Sequence, residues 1–172
     1  MQNSPKCWRK RRNIRRKIFA FPLSHHLQSS SAAISYKYAA YDGNWLPIVF
    51  MIFGHGQKRL PVTDALVDTG ATHTVLPLEM ASELGIAIDV TDQVETHIAG
   101  GGQCYVHSSP VMIDCFLQDP RSRKTCHWKS RVLFALGQKI VLLGHHQCLR
   151  RFDVTFKGPE KTLEILPRLE SR

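Results

Sequence analysis

Residues 65–77 read "ALVDTGATHTVLP". An apolar run ends directly on a carboxylate, Asp68, which is followed by Thr69, Gly70 and Ala71, and an apolar return begins at Val75. Taken alone, Asp-Thr-Gly describes a turn in which Asp68 accepts a nearby amide and Gly70 takes a positive φ. Apolar residues on both sides suggest something else, a reactive group pinned in place by a core. The surrounding sequence decides between the two.

Upstream, "WLPIVFMIFG" (45–54) is an apolar, β-rich run, and "LPVTDALV" (60–67) returns as a second strand after a polar turn. Downstream, "PLEMASELG" (77–85) predicts one short amphipathic helix, with Pro77 at its first position and Gly85 past its end. Residues 94–116 read as two strands joined by a glycine tip at Gly100, Gly101 and Gly102. The segment "DPRSRKTCHWKS" (119–130) predicts a charged loop. "RVLFAL" and "KIVLLG" are strands, and "RFDVTF" with "TLEIL" forms a last hairpin across Lys157–Glu160. Many short strands punctuated by turns predict an all-β domain over residues 36–172, with one or two short helices.

The chain has 172 residues, is 43% hydrophobic and carries a net charge of +9, enough apolar content for one core. The charge is unevenly placed. Nine Lys or Arg and no acid precede Asp42, leaving 14 basic against 14 acidic residues from there on. Residues 1–35 therefore read as a basic, disordered arm with little to bury, suited to weak polyanion binding. A nuclear or organellar address is the other reading of such an arm. "IFAFPL" is too short for a signal-peptide core and no run reaches membrane-spanning length, so the expectation is a soluble, cytoplasmic protein.

The five cysteines contain no Cys-x-x-Cys pair. Cys104, Cys115 and Cys126, with His107 and His127, lack the close spacing of structural zinc sites. No metal or cofactor is expected, and the thiols read as reduced.

With Val75-Leu76-Pro77 behind the tripeptide and Leu142-Leu143-Gly144 followed by "RFDVTF" downstream, residues 45–166 resemble the retropepsin-like aspartic proteases. The resemblance implies a compact, closed acid-protease half-barrel and an endopeptidase. In it Asp68 is catalytic, Thr69 links the two active-site loops, Gly70 lets backbone approach the substrate, and Ala71 lines a subsite. Leu142, Leu143 and Gly144 pack behind the loop, and Gly100–Gly102 tip a flap over bound peptide.

Metal-free peptide hydrolysis needs a water made nucleophilic and a carbonyl given a proton. Two carboxylates sharing one proton do both. This chain holds one Asp-Thr-Gly, so the dyad requires a homodimer with the site on its two-fold axis. Two features depart from the family pattern. His145-His146 stand where Arg and an Asp or Asn are usual, and Thr72-His73 replace the acid that such an Arg pairs with. The competing readings are an inactive retropepsin-like dimerisation or peptide-binding module, a nucleic-acid binder acting through the arm, and a retroelement polyprotein fragment. The neutral body lacks a basic-aromatic stripe, against the nucleic-acid reading. No zinc knuckle or polymerase segment accompanies the domain, against the retroelement one.

Overall fold

The computed structural model describes residues 33–89, 91, 93–98, 102–146 and 148–168. The first strands are β1 (Ile34–Lys37), β2 (Ala39–Tyr41), β3 (Asn44–Leu46) and the long β4 (Ile48–His55). Next come β5 (Lys58–Arg59), β6 (Thr63–Val67), β7 (Val75–Pro77) and a one-turn helix α1 (Glu79–Glu83). Two hairpins follow, β8 (Val94–Ile98) with β9 (Gly102–Ser108) and β10 (Ile113–Gln118) with β11 (Thr125–Ser130). The chain finishes with β12 (Leu133–Ala135), β13 (Val141–Leu143), a 3-10 turn at Leu149–Arg151, β14 (Phe152–Lys157) and β15 (Thr162–Pro167).

The all-β expectation holds. One large sheet runs β11-β10-β4-β6-β13-β7-β12-β9-β8, with β5 attached to β4. A smaller sheet, β1-β15-β14, brings the two ends of the described chain together. Closure does not occur. The large sheet is an open path whose ends, among the described residues, are β11 and β8, because its two flanking hairpins lie on opposite sides of the crossed centre. Strand β4 shows why these residues form a sheet. Val49, Met51 and Phe53 are fully buried on one face, while Phe50 and Ile52 between them are half-buried on the other.

Three expectations are corrected. Pro77 does not open the helix but ends β7 opposite Ala135, and the Leu78 amide still donates to the Ala135 carbonyl. The helix starts two residues later, buries Met80 and Ala81, and stops before Gly85, whose φ of 72° suits glycine. Only the first half of 119–130 is a turn. Residues 125–130 form β11, because Trp128 and Ser130 alternate inward between exposed His127 and Lys129. The charges obscured that period in the sequence.

Strand β1 begins at Ile34, so Ile34 and Ser35, assigned by sequence to the arm, pair with Ile165 and Glu164. Tyr36 is 2% exposed and donates its hydroxyl proton to the Gln118 carbonyl at 2.8 Å. Removing residues 1–32 should therefore leave the melting temperature unchanged while greatly weakening heparin binding. Removing residues 1–37 should cost on the order of 3–5 kcal/mol, as loss of a buried aromatic does. Thermal denaturation of the two truncations separates these outcomes.

Candidate active site

Asp68 follows the last residue of β6, and the tertiary structure explains how it is held. Strand β13 lies between β6 and β7, parallel to β6 (Leu143 opposite Val67) and antiparallel to β7 (Leu142 opposite Val75). Residues 68–74 must therefore pass over the C-terminal end of β13 to reach β7. The loop and the end of β13 are stitched together by backbone. The Asp68 amide donates to the Leu143 carbonyl at 3.1 Å, and the His145 and His146 amides donate to the Ala71 and Thr72 carbonyls at 2.9 and 2.7 Å.

Gly144 sits under this crossing. A Cβ there would strike the His73 carbonyl and lie 2.8 Å from the Ala71 carbonyl oxygen, distances that no side chain meets against backbone. The apolar residues before it anchor the crossing: Leu143 is 2% exposed, and Leu142 is half-buried. The structure thus brings Leu142, Leu143 and Gly144 to the Asp68 loop.

Within the loop the Gly70 amide donates to Asp68 Oδ1 at 2.9 Å and the Ala71 amide to the Asp68 carbonyl at 3.3 Å. The first fixes the carboxylate rotamer while its second oxygen stays uncommitted by this bond. Asp68 is half-buried, and Thr69 and Gly70 are exposed. The carboxylate is held by a core on one side and accessible on the other. Gly100 and Gly101 lie outside the described residues; Gly102 opens β9 and pairs with Ile98.

Sequence reasoning registered His145 and His146 only as departures, and the structure gives both a place. His145 Nε2 lies 2.9 Å from the Thr69 carbonyl. A carbonyl only accepts, so this nitrogen carries the proton, and the hydrogen bond ties the 145 segment to the loop where an ion pair is missing. His146 forms a bridge with His73, and their rings stack at 5.2 Å. No pattern in the sequence foretold either contact, since the residues are more than seventy positions apart.

Thr74 and Cys148 were also missed. The Gly144 amide donates to Thr74 Oγ1 at 3.4 Å, and Thr74 in turn hydrogen-bonds the Cys148 thiol. Burial pushes that thiol up to about 12, against the opposing pull of Arg151 and the Thr74 bond. The folded state therefore keeps a proton that the unfolded chain releases. Stability from this group is complete at neutral pH and is lost as pH rises from the ordinary thiol value of about 8.5. Buried Cys115 is shifted in the same direction by the same cause. The urea midpoint should fall progressively in alkaline buffer, and Cys148→Ala should flatten that slope; an identical slope would refute the assignment. Among the described residues, no three His, Cys, Asp or Glu side chains are grouped to hold a metal ion.

A β-protein whose central strands cross in this way, and whose crossing presents an Asp-Thr-Gly loop, has a fold of the acid-protease type. The family model described as aspartyl protease matches residues 51–114, from within β4 through the Asp68 loop and α1 to β10. The chain is similar to the retropepsin-like aspartic proteases. Solved structures with which it aligns include a retropepsin-like aspartic protease from Rickettsia conorii (18% identity, TM-score 0.43, 81% of this chain and 96% of that one). The retroviral protease-like domain of Ddi1 from Leishmania major aligns at 13% identity and a TM-score of 0.42, over 73% of this chain and 98% of that one. EIAV protease, complexed with the inhibitor HBY-793, aligns at 18% identity and a TM-score of 0.39, over 62% and 88%. No curated protein matches the sequence. No helix among the described residues is long and apolar enough to cross a membrane.

Proposed function

We propose that the protein is an aspartic endopeptidase that hydrolyses peptide bonds with a water held between two Asp68 carboxylates, one from each chain of a homodimer. The observation that carries this reading is the held but accessible carboxylate: Gly70 fixes one oxygen of Asp68 at 2.9 Å on a loop locked to the end of β13. A merely structural turn needs no such locking.

In the proposed mechanism the two carboxylates share one proton, since like charges so close do not both ionise. The ionised group takes a proton from the water as it attacks the scissile carbonyl, and the protonated group gives its proton to the carbonyl oxygen. Thr69, exposed beside the carboxylate, is suited to link the two loops across the axis. The hairpin of β8 and β9 supplies the flap. Peptide or protein is the substrate, and the chemistry calls for no cofactor.

The test exploits the split site. Cleavage of a peptide library should show specific activity that falls on dilution in step with dimer dissociation measured by sedimentation. The pH profile should be bell-shaped, its limbs belonging to the pair of carboxylates and not to either one. Activity independent of concentration, from a species sedimenting as a monomer, would rule out the shared dyad.

A further inference from the structure

Strand β11 is an edge: in the large sheet it pairs with β10 alone among the described residues. Its outward side chains include the cationic Lys129, with His127 two residues before it. Lys129 lies opposite Asp114 and His127 opposite Phe116, while Arg59 reaches the same row from β5 through Gly54. Gly54 makes the room. A Cβ there would strike the Arg59 side chain, which crosses to place its guanidinium 5.0 Å from the centre of the Phe116 ring. His127 stacks on Phe116 at 4.5 Å and 17°, and its Nε2 lies 2.7 Å from Asp114 Oδ1.

One carboxylate therefore serves three basic side chains, and it serves them unequally. Arg59 and Lys129 stand 3.8 Å from Asp114, while their own side chains are 41% and 62% exposed. Both have unspent capacity for another anion. The turn leading into β11 adds Arg121, Arg123 and Lys124 against Asp119 alone, and Asp119 is committed to the Arg121 amide and the Ser122 hydroxyl. A body with 14 acids and 14 bases from Asp42 onward has thus placed four of those bases in β11 and the turn before it, with Arg59 reaching toward them from β5.

We propose that the β11 edge is a docking surface for an extended acidic segment of a partner protein, which adds as a strand beside β11. Its carboxylates, at every second residue, fall on the face that carries Lys129 and Arg59. The pleat sets that spacing: alternate side chains of an added strand share one face about 6.8 Å apart. Charge excludes the nearer candidates. The chain's own residues 1–32 hold eight Lys or Arg and no acid, and a second β11, which reads TCHWKS, would bring Lys129 and His127 again but no carboxylate. Nucleic acid is disfavoured by the aromatic: Phe116 already carries His127 and Arg59, so it offers a poor platform for a base. The surface stands three strands from Asp68 across the sheet, roughly 14 Å at normal strand spacing. Its occupancy is therefore independent of whether the protein is a peptidase.

The test uses the full chain, so that the basic arm contributes equally to every measurement. Fluorescence anisotropy would follow a labelled peptide of alternating Glu and Thr, a peptide of the same composition with its Glu residues in one block, and a single-stranded oligonucleotide of equal charge. The alternating peptide should bind saturably and shift the amide resonances of residues 125–129. Arg59→Glu/Lys129→Glu should weaken it at least about tenfold, and Lys129→Gln, a gentler change, should weaken it measurably without altering the circular dichroism spectrum. Equal binding of the block peptide, or unchanged affinity in both variants, would reduce the cations to edge protection against aggregation and overturn the proposal. Tighter binding of the oligonucleotide at the same resonances would also overturn it, in favour of a nucleic-acid surface.

Discussion

Asp68→Asn should eliminate peptide cleavage, by on the order of a thousand-fold or more, and leave the fold unchanged. The Gly70 amide donates to Asp68 Oδ1, and an asparagine carbonyl accepts the same bond in the same place. The backbone bonds from Asp68 to Leu143 and Ala71 involve no side chain and survive as well. What disappears is the exchangeable proton, because an amide neither shares one with a second carboxylate nor accepts one from water. Casein or peptide-library hydrolysis, beside a thermal melt, measures both halves of the expectation. The variant also probes the split site. Mixed with an equal amount of wild type under exchanging conditions, it should lower activity per wild-type chain by about half, because random pairing gives half of those chains an inert partner. Undiminished hydrolysis by Asp68→Asn itself would remove Asp68 from the chemistry, and inhibition of the wild type by EDTA would bring a metal mechanism forward.

Gly144→Ala should be the most damaging alanine substitution among the glycines whose surroundings the structure describes. Its Cβ would collide with the His73 carbonyl and approach the Ala71 carbonyl oxygen to 2.8 Å, and neither is a side chain that can swing away. Relief requires the 68–74 loop to lift off the end of β13, which breaks the hydrogen bonds that the His145 and His146 amides donate to the Ala71 and Thr72 carbonyls. The expected cost is about 4 kcal/mol, a shift of roughly 10–15 °C in melting temperature for a domain of this size. That is a large part of the 5–15 kcal/mol by which domains of this kind are stable. Activity should fall further than stability, since the displaced loop is the one that carries Asp68. Gly158→Ala is the matching control: nothing lies within 4 Å of a Cβ there, and its melting temperature should not change by more than about 2 °C. A wild-type melting curve for Gly144→Ala would mean that the crossing is looser than these contacts describe.

Strands were legible where burial alternates or runs continuously. Val49, Met51 and Phe53 in β4, and Ala65 and Val67 in β6, announce their period in the sequence and are buried accordingly. β11 was not legible, because Arg121, Arg123 and Lys124 in the preceding turn merge with Lys129 into one charged stretch, and the inward Trp128 and Ser130 are only two residues within it. The helix start was misplaced for a related reason. Proline suits a first helical turn, but it also suits the end of a strand, and the Leu78 bond to Ala135 selects the strand.

For the site, the sequence by itself determined the chemical groups: one carboxylate after an apolar strand, a glycine two residues on, and an apolar-apolar-glycine segment far downstream. Local preference and covalent structure suffice for that much, since they act between neighbours. Only the tertiary structure decided why Gly144 must be glycine, that His145 replaces an ion pair with a bond to the Thr69 carbonyl, and that Thr74 connects Gly144 to a buried Cys148. Each of these joins residues about seventy positions apart. They meet because β13 inserts between β6 and β7, and that insertion is settled by which strands bury their apolar faces together, which no local run of residues encodes.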